Sequence, residues 1–257
     1  MKTIMFIHGM FMTPLSWSEW AAHFAAAGYT VLTPAWPGRD EPVASLNAKH
    51  PDPNLGALTF SAVIAHFVAE IAKLPEKPIV IGHSMGGLIA QILLARGLVS
   101  AAVAVHSAPP AGVFVPKWSF IKGGWPLLNP FISAAKPYQM SFEGFQYAFA
   151  HTLPESVQRH AYTTFVVPDS RRLARESTTA VAKIDFTQAH APLLLIAGEV
   201  DHLIPAALNQ LNYQKYQHST SITDYREFAG RGHFTVGQAG WEEVANFIQT
   251  WLKDKVA

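Results

Sequence analysis

The sequence predicts an α/β protein: a doubly wound, mostly parallel sheet of about six strands that carries an inserted helical cap. Three observations lead there. Short apolar runs of strand length, such as Ile4, Met5, Phe6 and Ile7, alternate with stretches of helical spacing. Strands that are apolar throughout belong to sheets covered on both faces, which is how parallel strands are packed. The alternation is interrupted once, over residues 109–184, by a proline- and aromatic-rich segment with no strand period. Finally, the 257 residues are 49% hydrophobic and 14% charged, enough for a sizeable core and too apolar for wholesale disorder. One domain over residues 1–257, with the cap as an insertion, fits that length.

The elements follow in order. The run 4–7 ends at His8-Gly9. Ser16-Trp17-Ser18-Glu19 has capping-box spacing, so a helix is expected from there toward Ala27, stopped by Gly28. Residues 30–32 make a short strand, and 37–57 read as a long polar loop. Phe60, Ile64, Phe67 and Ile71 recur at helical spacing. The apolar run 78–81 leads into Gly82-His83-Ser84-Met85-Gly86 and then a helix-like stretch, stopped by Gly97. Residues 102–105 and 193–197 are further buried strands. Residues 222–228 hold Asp224, Arg226 and Glu227, the polarity of a sheet edge. Trp241, Val244, Ile248 and Leu252 mark one face of a closing helix.

Composition removes several function classes. A net charge of +1, with no basic run longer than Arg171-Arg172, gives no footprint for nucleic acid. With no cysteine, disulfides, thiolate chemistry and zinc–sulfur sites are excluded. No His or Glu pair has metal-ligand spacing on a credible helix face, so no metal is expected, and no cofactor. The first apolar run is too short for a signal peptide, and nothing approaches the length of a membrane span, so a cytoplasmic protein is expected.

The informative motif is the glycine-flanked Ser84, placed between a buried strand and a helix. A strand-to-helix turn that sharp needs small residues two before and two after the serine, and it exposes the hydroxyl at a helix N-terminus. A serine hydroxyl needs a base, and a histidine base needs a carboxylate to hold its tautomer. Both partners occur at strand ends, in the order Ser, acid, His. Asp201 follows the strand 193–197, where Glu199, Asp185 and Asp224 are the competing acids. His233 precedes the last helix; His8, His83, His106 and His202 read as loop-fixing residues. Backbone N–H groups of Met85 and Met10 are the expected anion-stabilising pair. Phe11, Trp36, Trp118 and Trp125 are the candidate substrate-binding residues.

Phe6-Ile7-His8-Gly9-Met10, Gly82-His83-Ser84-Met85-Gly86-Gly87, Gly198-Glu199-Val200-Asp201-His202-Leu203-Ile204-Pro205 and Gly230-Arg231-Gly232-His233-Phe234 together resemble the α/β-hydrolase family. The resemblance implies a serine hydrolase with Ser84 as nucleophile, His233 as base, Asp201 as acid and a lid where the insertion falls. The segment Phe165-Val166-Val167-Pro168-Asp169-Ser170-Arg171-Arg172 looks like the cap of small esterase-like members. The chain departs from the pattern by starting at what would be the family's third strand. The expected reaction is cofactor-free cleavage of a small-molecule carboxylic ester or lactone with a small-to-medium apolar acyl group, at no oil–water interface. Peroxidase, amidase, carbon–carbon hydrolase and hydroxynitrile lyase chemistry remain alternatives on such a fold, as does a non-catalytic ligand receptor.

Overall fold

The computed structural model describes residues 1–216 and 220–256. Six strands form one sheet: β1 (Thr3–Ile7), β2 (Thr30–Leu32), β3 (Ile79–His83), β4 (Ala101–Val105), β5 (Leu193–Gly198) and β6 (Thr223–Phe228). Each neighbouring pair is parallel, in the order β2-β1-β3-β4-β5-β6. Every residue of β3, β4 and β5 is buried, so both faces of the sheet are covered there. The polar β6 takes one edge, as its charges suggested.

The winding reverses once. The chain moves outward from β1 to β2, then passes back over β1 to β3 and continues to the other edge. The carboxyl ends of β1 and β3 therefore lie side by side, with Ile7 paired to Gly82. Loops diverge at such a reversal and leave a crevice, which is where open sheets of this kind build their sites.

A single residue, Ser84, joins β3 to the helix Met85–Ala95. That helix is buried from Met85 to Leu94 against the sheet. Its one polar interior side chain, Gln91, donates to Ser107 Oγ at 2.7 Å and accepts from Asn212 at 2.9 Å and the Tyr216 hydroxyl at 3.2 Å. The buried amide is thereby satisfied. The turn itself has no space for side chains. A Cβ on Gly82 would lie 2.0 Å from the Gly86 carbonyl oxygen, and one on Gly86 would lie 2.1 Å from that of Ile7.

The helix Phe60–Ala72 buries Phe60, Val63, Ile64, Phe67 and Ile71, and the Thr59 side chain caps it by accepting from Ala62 N–H. Two expectations need correction. Ser16 does not open the first helix: Thr13 caps a 3-10 turn over Pro14–Trp17, and the α-helix Ser18–Ala26 continues it. Pro14 supplies a preset φ at the first helical position, so the start moves upstream. The stretch 37–57 is not all loop either. It contains the short helices Val43–Ala48 and Pro53–Ala57, the second capped by Asp52.

Between β4 and β5 the chain is helical. Trp118–Leu128, Phe142–Phe145, Glu155–Phe165 and Arg171–Glu176 are α-helices, with a π-turn over Gln146–Ala150. One antiparallel bridge, Tyr138 to Asp169, ties two of its loops. Among the described residues no helix is long and apolar enough to cross a membrane.

Gly82→Ala is expected to destabilise the protein by about 3 kcal/mol, the upper range for overpacking, because the clashing atom is backbone and cannot move aside. A thermal melt should show this as a fall in Tm of about 6–12 °C for a chain of this size. An unchanged Tm would mean that the turn relaxes more freely than its geometry allows.

Candidate active site

Ser84 sits at φ 56° and ψ −119°, a conformation that costs a non-glycine residue energy. The surroundings impose it. Its N–H donates to Val105 O at 3.0 Å, and its carbonyl accepts from Gly87 and Ala108 N–H, each at 3.0 Å. Strand β4 and the following helix thus clamp both sides of the peptide, and the side chain emerges above the sheet.

His233 lies in the loop between β6 and the helix Trp241–Lys255 and is fully buried. Its Nε2 is 3.0 Å from Ser84 Oγ. Its Nδ1 donates to Asp201 Oδ2 at 2.7 Å. The ring is wedged by the edge of Phe149 and by His83, each with centroids 4.8 Å away. The next residue, Phe234, donates its N–H to Phe149 O at 3.0 Å, so the π-turn of the cap holds this loop. The three residues expected to meet therefore do so as one unbroken hydrogen-bonded chain.

Asp201 follows β5, and four donors meet its carboxylate. Oδ1 accepts from the N–H groups of Leu203 and Ile204, at 2.8 and 2.7 Å. Oδ2 accepts from His233 and also from His106 Nδ1 at 2.8 Å. Burial alone would raise the Asp201 pKa, but the His233 charge and the hydrogen bonds from His106 and His233 hold it well below the usual carboxylate range. The competing acids are elsewhere: Glu199 accepts from Gly230 N–H, Asp185 from Thr187 and Asp224 from the Trp251 indole.

His106 is the residue that sequence reasoning undervalued. It follows β4 directly at φ 46°, donates its backbone N–H to Ile196 O at 2.7 Å and places a fully buried ring on Asp201. Its Nε2 has no partner among the described residues. Burial lowers its pKa, opposed by Asp201, so the ring is neutral with its one proton on Nδ1. His106, Asp201 and His233 each bring one nitrogen or oxygen atom within 4.8 Å of the other two. Both Nδ1 atoms donate to the carboxylate, however, so they turn protons toward it where a metal would need lone pairs.

Two more buried histidines fix loops. His8 donates from Nδ1 to Gly9 O at 2.9 Å and accepts from Trp36 N–H at 3.3 Å. Burial, aided by the nearby Arg39 charge, pushes its pKa down to about 3. His83 donates to His233 O at 2.8 Å, and burial first of all lowers its pKa well below the usual value.

A cavity of about 480 Å³ opens above Ser84. Met10, Phe11 and Met85 line it beside Ser84, and Phe120, Leu127, Met140, Phe149 and Ile204 are among its apolar walls. Among the described residues, Ser84, Tyr138, Ser177 and Thr178 are its only polar lining side chains, and none of the lining residues is charged. Three expected pocket residues lie elsewhere. Trp36 is buried beneath the loop, stacked on the His8 ring with centroids 4.8 Å apart. Trp118 and Trp125 turn outward, 74% and 51% exposed. Their helix is apolar on two sides, and Phe120, Gly123, Gly124 and Leu127 take the cavity side.

The loop after β1 is held from the cap. Phe11 adopts φ 64°, and its N–H donates to Asp169 Oδ2 at 2.7 Å. Asp169 Oδ1 accepts from Ser170 N–H at 2.7 Å and forms an ion pair with Arg39 at 2.9 Å, with both side chains buried. A buried carboxylate so far along the chain from its partners leaves no local pattern; its only sequence signal was the Pro168-Asp169-Ser170 stretch itself.

The model of the Alpha/beta hydrolase family matches residues 4–247. No curated protein sequence is similar enough to this chain to count as a relative. Solved structures of similar fold include a monoacylglycerol lipase from Paleococcus ferrophilus, 18% identical with a TM-score of 0.71 over 97% of this chain and 93% of that one. A putative non-heme bromoperoxidase from Mycobacterium tuberculosis is 19% identical with a TM-score of 0.72, over 100% and 94%. An extracellular α/β-hydrolase from a Paenibacillus species gives 19%, 0.72, 97% and 98%. At these identities the likeness establishes the fold.

His8 and His83 stay neutral in the folded protein, whereas an unfolded chain protonates its histidines below about pH 6.5. Folding stability should therefore be complete above that pH and fall on acidification toward pH 3, by about 1.4 kcal/mol per pH unit for each histidine that stays neutral. Denaturant titrations across this range check the sign. A flat profile would contradict neutral burial.

Proposed function

Because the chain belongs to the α/β-hydrolase family, we propose that it hydrolyses small-molecule carboxylic esters or lactones of apolar acyl groups through an acyl-enzyme on Ser84. The observation that carries this reading is the chain Ser84 Oγ–His233 Nε2–Asp201 Oδ2 at the floor of an uncharged cavity.

The reaction follows from that geometry. The ester carbonyl carbon takes the Ser84 oxygen as His233 Nε2 takes the hydroxyl proton. The imidazolium is stabilised by Asp201, which stays ionised because four donors surround it. The oxyanion is held by backbone N–H groups. Phe11 N–H is committed to Asp169, so Met10 is the candidate donor from that loop, with Met85 at the head of the buried helix. Collapse of the tetrahedral species breaks the bond to the alkoxy oxygen, which leaves as an alcohol with the proton from His233. A water that gives its proton to His233 then attacks the acyl-enzyme, and the acid departs with Ser84 reprotonated. A cavity without charged walls selects uncharged acyl groups.

Ser84→Ala and His233→Ala should reduce hydrolysis of p-nitrophenyl butyrate to background. Asp201→Asn should lower kcat by about 10⁴, as the imidazole loses its orienting acceptor. Glu199→Gln should remain close to wild type, since Glu199 is engaged with Gly230. Turnover that survives Ser84→Ala would overturn the proposal.

A further inference from the structure

The helix Trp118–Leu128 is apolar on two sides and has no buried residue. Phe120, Gly123, Gly124 and Leu127 face the cavity. Trp118, Ile121 and Trp125 are exposed, at spacings of three and four residues that place them in one stripe, and Leu128, which also borders the cavity, closes it. Phe131 (92% exposed) continues the apolar surface beyond the end of the helix, and Phe114, half exposed, stands at the cavity rim against Phe120. Such a surface is costly in water unless something covers it, because isolated apolar side chains are ordinary but contiguous ones are not.

Charge indicates what covers it. Lys117 stands immediately before the helix, Lys122 lies beside the stripe with its Nζ over the Tyr147 ring, and Lys136 is exposed beyond the helix end. No Asp or Glu occurs between Glu76 and Glu143. A second copy of the chain is disfavoured, since a two-fold contact would press this basic face against itself. The exposed groups are tall apolar side chains without the polar partners that a shaped protein interface requires. Trp, Phe, Ile and Leu on one face with lysines at its margins is the pattern of a helix lying in the plane of a lipid surface.

We propose that the outer face of the cap helix docks on an anionic phospholipid membrane surface. The docked helix is also the wall of the cavity. At Gly123 and Gly124 that wall carries no side chain, so a bilayer on its outer face is separated from the cavity by one helix backbone. This departs from the sequence-based expectation that no interface is involved. If esters are the substrates, as proposed above, they would be taken from the surface. The docking itself requires no hydrolysis.

The test is flotation of the full chain with phosphatidylcholine vesicles, with and without phosphatidylglycerol, alongside Trp emission. Trp17, Trp20, Trp36 and Trp251 are buried and Trp241 is stacked on Trp20, so a blue shift on adding vesicles reports chiefly the exposed cap tryptophans. Wild type should bind the anionic vesicles with a blue shift. Trp118→Ser with Trp125→Ser should weaken partitioning by about tenfold or more and abolish the shift. Lys117→Glu with Lys136→Glu should weaken binding to anionic vesicles by at least about fivefold per lysine and leave neutral ones unaffected. Hydrolysis of a dissolved short ester should be unchanged in both variants. Absence of wild-type binding, or binding indifferent to both pairs, would overturn the proposal. So would gel filtration showing a dimer that the tryptophan variant dissociates. The vesicle readout in Ser84→Ala separates this proposal from the ester reading, because failure of either leaves the other intact.

Discussion

The close approach of two backbones at the carboxyl ends of β1 and β3 is the constraint on which the rest depends. Gly86 stands where any Cβ would meet the Ile7 carbonyl, and Gly82 where one would meet Gly86. With those side chains absent, the helix Met85–Ala95 can start one residue after the strand. Ser84 is then forced into a positive φ, and its hydroxyl is lifted out of the sheet toward His233. The same contact sets Gly9 against Ser84, where an added Cβ would lie 2.8 Å from the serine Cβ. The strain at Ser84 is supported by hydrogen bonds from β4 and the helix start, so it persists as part of a rigid arrangement.

From that point the site is assembled by buried polar groups that satisfy one another. Asp201 serves two histidines through one oxygen and two backbone N–H groups through the other. His83 fixes the His233 carbonyl, and Asp169 reaches from the cap to hold the Phe11 N–H. In a low-dielectric setting such networks are rigid when complete and costly when broken. The cap is thus joined to the sheet by polar anchors at its base, while its upper helix, whose Pro126 and Leu127 carbonyls accept from Arg171 and Arg175, has no fully buried residue.

Much of this was legible in the sequence because the signals are local. Apolar runs identified the strands to within one or two residues, as with β5, expected over 193–197 and found over Leu193–Gly198. Gly82, Ser84 and Gly86 carry their own geometry, and Asp201 and His233 stand next to strand ends. What could not be read depends on direction or distance. Periodicity shows that Trp118, Phe120, Trp125 and Leu127 share a helix, but a helix apolar on two sides does not declare which one faces inward. Trp36 follows a strand end like a pocket residue, yet the His8 ring captures it. His106 is one of 12 histidines, and only the folded sheet brings the end of β4 to Asp201. Arg39 and Asp169 find each other across about half the chain, which no spacing rule anticipates.

The central claim is that the strained turn delivers Ser84 as an activated nucleophile. Its most direct test is treatment with a fluorophosphonate, followed by mass spectrometry of the digested protein. The phosphonyl mass should appear on the peptide that contains Ser84, at one equivalent per chain, and be absent from unfolded protein, in which the His233 contact is lost. An adduct on another serine with Ser84 unmodified, or equal labelling of folded and unfolded chains, would contradict the account.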